Sequence, residues 1–211
     1  LLAQKALVDP RYQDLADLTY NMAKGADAFL WNGHSNVSLD NNFVCLDTNR
    51  LINAGDELKR ALYFNNLGMC WEEIARDREQ PVLLLCDEAH ILLDPEIREP
   101  AMYLRNMSKR VRKYEGMLGV VLQSVVDASY EKIRLYGQAI LDNSTYKLLF
   151  ATDGKNLKET ADTFQLTEAE QSILLGAPRG RALCLIGHQH VCVDFDLPQY
   201  KLDLMGKGGG R

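Results

Sequence analysis

The sequence predicts an α/β fold: a mostly parallel sheet with helices on both faces, closed by a β-hairpin and preceded by a helical part. Three observations predict it. Short apolar runs alternate with longer helical patterns, in the order strand–helix–strand–helix–strand–helix–strand. The runs are apolar throughout instead of alternating, as in strands covered on both faces. Two further apolar runs near the C-terminus, "ALCLIG" (182–187) and "HVCVDFDL" (190–197), are separated by two residues and read as a hairpin.

Each element has its own signal. Asp9-Pro10 opens a helix, Leu15, Leu18 and Met22 continue it at helical spacing, and Gly25 is a reasonable stop. "WNGHSN" (31–36) is turn-rich and reads as a loop. "NFVCLDT" (42–48) reads as a buried strand. From 56 to 78 the pattern is helical, with Leu58, Leu62, Leu67, Trp71 and Ile74 near one face. Pro81 starts a strand over Val82–Cys86. A helix is predicted over 95–115, a strand over 116–124, a helix over 130–144 and a strand over 145–152. Two short helices follow, about 155–164 and 167–175. The second begins "TEAE", a capping box in which Glu170 answers Thr167. The tail "MGKGGGR" is glycine-rich and reads as flexible.

Composition narrows the function classes. The 211 residues are 46% hydrophobic and 25% charged, the balance of a globular domain of ordinary size or slightly above. A formal net charge of −5 gives no global reason for strong non-specific nucleic-acid binding. No apolar run approaches the ~20 residues of a membrane span, and the N-terminus lacks the pattern of a signal peptide. It also lacks a starting methionine, which suggests a piece of a longer protein. The five cysteines form no CxxC pair, which speaks against a zinc site and for a reducing cytoplasm. Cys45, Cys86 and Cys184 lie in strand-like runs and read as buried small hydrophobes. Cys184 and Cys192 could face each other across the hairpin. His34, His188 and His190 show no metal spacing, and Arg179 and Arg181 flank a turn glycine.

The chemistry concentrates at "PVLLLCDEAHILLD" (81–94), where an apolar strand ends in Asp87 and Glu88. In α/β sheets ligands bind at the carboxyl ends of strands. A carboxylate there can hold Mg²⁺ through water, and the next can orient and deprotonate an attacking water. The bland alternative is a strand ending in a polar turn, with Glu88 capping the next helix. Gln123 stands just past the following apolar run, where a polar residue can sense a terminal phosphate and the lytic water. Between them, "KRVRKYEG" (109–116) carries Arg110, Arg112 and Lys113. These read equally as charge favourable to a helix C-terminus or as an arginine finger for a neighbouring subunit. His90, two residues after Glu88, reads as a helix-start residue, with a catalytic role as the lesser alternative.

With these residues in place, the chain resembles a type IV secretion or conjugative-transfer ATPase of the VirB/TraC type, in the FtsK/HerA-like branch of RecA-type P-loop NTPases. "LLLCDEAHILLDPE" resembles that family's Walker B segment. "LRNMSKRVRKYEGMLGVVLQSVVD" resembles its arginine motif running into its glutamine motif, and "LTEAEQSILLGAPRGRALCLIG" its closing region. The resemblance implies a RecA-like core over 41–205, the end of a helical subdomain over 1–40 and a flexible tail over 206–211. It implies ATP and Mg²⁺ as cofactors, Asp87 assisting Mg²⁺, Glu88 as catalytic base, Gln123 as sensor and Arg112, then Arg110, as the trans-acting arginine. It further implies a homo-oligomer, a hexamer in the family, that works peripherally at the cell membrane with other secretion or conjugation proteins, and DNA as a possible partner.

One element of the family is missing from the sequence. No G-x-x-x-x-G-K-[ST] loop occurs, and "GKGGGR" at the end follows no strand and opens no helix. The chain alone is therefore expected not to hydrolyse ATP at a useful rate. Three other readings share parts of the pattern: a DEAH-type helicase fragment, a DNA-pumping translocase or coupling protein, and a degenerate domain kept for assembly. A helicase would need a Ser-Ala-Thr-like motif where Gln123-Ser124 stands.

Overall fold

The computed structural model describes residues 9–34, 37–51 and 55–205. It divides into two compact units, Leu1–Cys45 and Leu46–Arg211. The tail expected to be flexible, 206–211, lies outside the described residues.

The first unit is made of short helical pieces. Asp9 caps a 3-10 turn over Pro10–Tyr12, its carboxylate accepting from the Arg11 backbone N–H. Helices α1 (Gln13–Leu18), α2 (Tyr20–Ala23) and α3 (Ala28–Trp31) follow. The single helix expected here is interrupted at Thr19, whose hydroxyl donates to the Leu15 carbonyl at 2.8 Å. Such back-bonding competes with the helical ladder. None of the unit's described residues is buried, and Leu18 is 78% exposed.

The strand expected over 42–48 is not formed. Those residues are irregular, Phe43 is 88% exposed and Cys45 is an exposed free thiol. An apolar run becomes a strand only when a neighbour satisfies its backbone groups, and no described strand pairs with this one.

The first α-helix of the second unit, after a 3-10 turn over Asn49–Leu51, is the 21-residue α4 (Asp56–Arg76), which carries Asp56 and Glu57 in its first turn, where the helix dipole favours acids. Strand β1 (Val82–Cys86) follows, then α5 (Arg98–Arg110) and β2 (Gly116–Val120). The two strands are parallel neighbours in the register Val82↔Gly116 to Cys86↔Val120. Helix α6 (Arg134–Asn143) completes this half. Leu67 of α4, Leu104 of α5 and Ile140 of α6 are buried together with Cys86, Leu93 and Ile133, and Leu84, Leu118 and Val120 pack on them from the strands. The helices therefore cover one face of the pair. On the other face Leu83, Leu85 and Met117 are 59% to 64% exposed, so the expected cover on both faces is not seen here.

The remaining strands form a separate sheet. β3 (Tyr146–Leu149), β4 (Arg181–Ile186) and β5 (Gln189–Asp194) pair in that order, all antiparallel. The expected mostly parallel sheet is thus one parallel pair among the described strands, and β3 runs against β4 instead of extending that pair. Helices α7 (Gly154–Phe164) and α8 (Glu168–Gly176) cover one face, with Leu157 and Ala161 of α7 and Leu174 of α8 buried together with Leu183 and Leu185 of β4. The capping box is formed: the Thr167 hydroxyl accepts from the Glu170 N–H, and the Glu170 carboxylate accepts from the Thr167 N–H. The hairpin is also formed, turning through Gly187 at a positive φ of 59°. Its register sets Cys192 opposite Leu183, not Cys184, and both cysteines are free thiols. Cys86 and Cys184 are buried as expected. Helix α9 (Gln199–Met205) was not legible in the sequence.

Candidate active site

Strand β1 ends at Cys86, and Asp87 and Glu88 emerge exposed from its carboxyl end. Glu88 occupies left-handed backbone, with φ 49° and ψ 42°, and breaks the strand direction at once. A non-glycine residue held there marks a place where the surroundings fix the backbone. Two backbone bonds do so. Val121 N–H donates to the Cys86 carbonyl, and Ala89 N–H donates to the Val121 carbonyl, each at 2.9 Å. They stitch the end of β2 to both sides of the acidic pair.

That stitching delivers Gln123. Two residues beyond Val121, its amide Nε2 donates to Glu88 Oε2 at 2.7 Å. An ionised carboxylate only accepts, so the NH₂ side of the amide must face it. The next residue, Ser124, caps a 3-10 turn over Val125–Ala128 in a reciprocal pair with Asp127, which anchors Gln123 from behind. Asp87 Oδ1 accepts from the Glu88 N–H at 3.0 Å, which leaves its other oxygen unengaged. The structure thus brings Asp87, Glu88 and Gln123 together.

His90 joins them. Its Nδ1 lies 3.2 Å from Glu88 Oε2. The sequence favours a helix-start role for this histidine over a catalytic one. Spacing gave no signal, because the contact depends on the left-handed turn at Glu88 and the 3-10 turn Ala89–Ile91. Behind His90 lies an open cavity of about 360 Å³, lined among others by Lys59, Tyr63, Asp94, Asp127 and Tyr130. Tyr63 is almost fully buried, and burial followed by the charge of Asp94 pushes its phenol above the ordinary range.

The arginines are elsewhere. Arg112 lines a shallow hollow with Pro81, Val82, Leu83 and Met117, at the amino ends of β1 and β2. A five-residue strand is about 13 Å from end to end at its usual rise per residue, so Arg112 and the acidic pair lie at opposite ends. Arg112 is exposed and makes no hydrogen bond or ion pair among the described residues. Arg110 is held within its own chain. Its guanidinium lies 4.7 Å over the Trp71 ring, Trp71 meets Tyr114 edge-on at 5.0 Å, and Arg78 lies 4.6 Å over Tyr114. A hydrogen bond from Arg110 is the main cause that lowers the Tyr114 phenol below its ordinary value.

The donor set suits a hard cation shared with phosphate. Among the described residues no three His, Cys, Asp or Glu side chains cluster as a metal cage. Mg²⁺ is commonly held by one or two carboxylates with waters and substrate phosphates, and the free oxygen of Asp87 fits that mode. No described helix is long and apolar enough to cross a membrane. The closing turns carry ordinary surface pairs: Arg181 holds Asp194 through two bonds, 2.7 and 3.0 Å, and His190 meets Glu170.

No protein-family model and no curated protein matches the chain. A solved structure does: VirB4 of Thermoanaerobacter pseudethanolicus, 40% identical, with a TM-score of 0.78. The match covers 95% of this chain and 54% of that one, so the chain spans about half the length of that protein. At this identity the likeness extends from the fold to the sequence that builds it: over nearly its whole length, the chain is similar to half of a VirB4.

Proposed function

We propose that the chain is the part of a VirB4-like type IV secretion ATPase that supplies the catalytic carboxylates, in a RecA-like core running from the Walker B strand to the closing hairpin. The observation that carries the proposal is the Gln123–Glu88 hydrogen bond at the carboxyl ends of two parallel strands. Glu88 is the general base. Gln123 fixes one of its oxygens and leaves the other to take a proton from water. Asp87 would hold Mg²⁺, directly or through water; when bound, the ion neutralises charge on the phosphates. Arg112 faces away from the base of its own subunit, which suits a finger reaching a neighbour's phosphates in a homo-oligomer such as a hexamer. Arg110, engaged on Trp71, is the weaker choice.

The identity with VirB4 favours this reading over a DEAH-type helicase. The phosphate loop has no counterpart in these 211 residues, so the active unit is the full-length protein carrying that loop, working with membrane-associated secretion partners. In that protein, Glu88→Gln should reduce Mg²⁺-dependent ATP turnover at least about a hundredfold, since a general base alone contributes that much. Nucleotide binding, followed by fluorescence of a labelled analogue, should stay intact. Turnover near the wild-type rate in Glu88→Gln would overturn the proposal.

A further inference from the structure

We infer that His90 is a positioning residue for Glu88, the partner of Gln123 in holding the carboxylate. The inference rests on the reading of Glu88 as the base. His90 Nδ1 is sealed from solvent although the ring is partly exposed, and it makes no hydrogen bond. A buried polar atom without a partner is rare and calls for a reason. The carboxylate within ion-pair reach is that of Glu88, whose Oε2 lies 3.2 Å away but off the line of a hydrogen bond. That same Oε2 already accepts from Gln123. Both groups therefore address one oxygen and leave Oε1 for water. Hydrogen bonds of catalytic groups are often misaligned without substrate and tighten when it binds. A small rotation of the Glu88 side chain would satisfy the orphan nitrogen.

The backbone makes the arrangement reproducible. The left-handed turn at Glu88 and the 3-10 turn Ala89–Ile91 double the chain back, so that residues two apart face each other. Ala89 and Leu93 on either side are fully buried. His90 is thereby fixed to the core while Glu88 is exposed.

The test uses the full-length protein with its phosphate loop. His90→Ala should lower kcat about tenfold, as the loss of a group orienting a catalytic ligand does, with KM for ATP changed less than about twofold. His90→Asn places an amide N–H near the position of Nδ1 and should restore kcat to within about threefold of wild type. Wild-type kcat in His90→Ala would overturn the inference, and so would His90→Asn as impaired as His90→Ala, because packing alone would then explain the loss. If His90→Ala does not fold, His90→Phe keeps the ring and removes the donor, and the same comparison with His90→Asn decides. Glu88→Gln separates the two levels. If it still hydrolyses ATP, the reading of Glu88 fails; if it is inactive while His90→Ala is not, only the role of His90 fails.

Discussion

Glu88 is held in a backbone region that L-residues enter at a cost of roughly 1–2 kcal/mol. The fold bears that cost because the same turn aims the carboxylate at Gln123 and brings His90 beside it. Gly137 is constrained for a different reason. A Cβ there would lie 2.0 Å from the Ala128 carbonyl oxygen and 2.8 Å from its Cα. The obstacle is backbone, so α6 and the Val125–Ala128 turn would have to separate. Gly137→Ala should therefore destabilise the protein by about 2–3 kcal/mol, the range of overpacked cores. A chemical-denaturation midpoint equal to wild type would contradict this close approach.

Among the elements, α7 shows how a helix end can be improved. It stops at Gln165, which sits in left-handed backbone at φ 55° while its N–H and that of Leu166 both return to the Ala161 carbonyl. Glycine is the usual residue at such a stop. Gln165→Gly should stabilise the protein by about 0.5–1 kcal/mol, because the left-handed penalty exceeds the added freedom of the unfolded chain. The check is a higher urea midpoint at unchanged slope. The parallel pair depends on a different device: the bonds of Val121 to Cys86 and of Ala89 to Val121 extend the pairing past the last strand residues and carry the chemistry with it.

At the scale of the whole molecule, the uncovered strand face stands out. Leu83, Leu85 and Met117 form a contiguous exposed apolar surface on a two-stranded sheet with unpaired outer edges among the described strands. Such surfaces favour association. Replacing Leu83 and Leu85 together by Lys should move the melting temperature of this chain little, since both side chains are already exposed. It should also reduce self-association, measured by light scattering across a concentration series. A loss of folding would mean that this face is packed in solution. Arg112 lies at the amino ends of the same strands, opposite Glu88, so one copy of the chain cannot bring the two together without remodelling β1 and β2.

What the sequence determined by itself was local. The strand ending in Asp87 and Glu88, the Thr167 capping box, the closing hairpin and helices α4 to α8 each follow from neighbouring residues, and each is present in the structure, whereas the helix expected after Asp9 is broken at Thr19. Tertiary structure decided what depends on a distant partner. The run at 42–48 has strand composition but no strand beside it, and stays irregular. β3 has the apolar pattern of a parallel strand, yet it pairs antiparallel with β4, because a side-chain pattern records burial and not direction. Arg110 and Arg112, two residues apart in the same basic run, part company: one stacks on Trp71 and the other remains exposed. Gln123 could be suspected from its strand end, but its bond to Glu88 required the register of β1 and β2. His90 could be noted two residues after Glu88, but its contact with that carboxylate required the turn at Glu88, because a left-handed residue changes which side chains meet and leaves no mark in hydrophobic spacing.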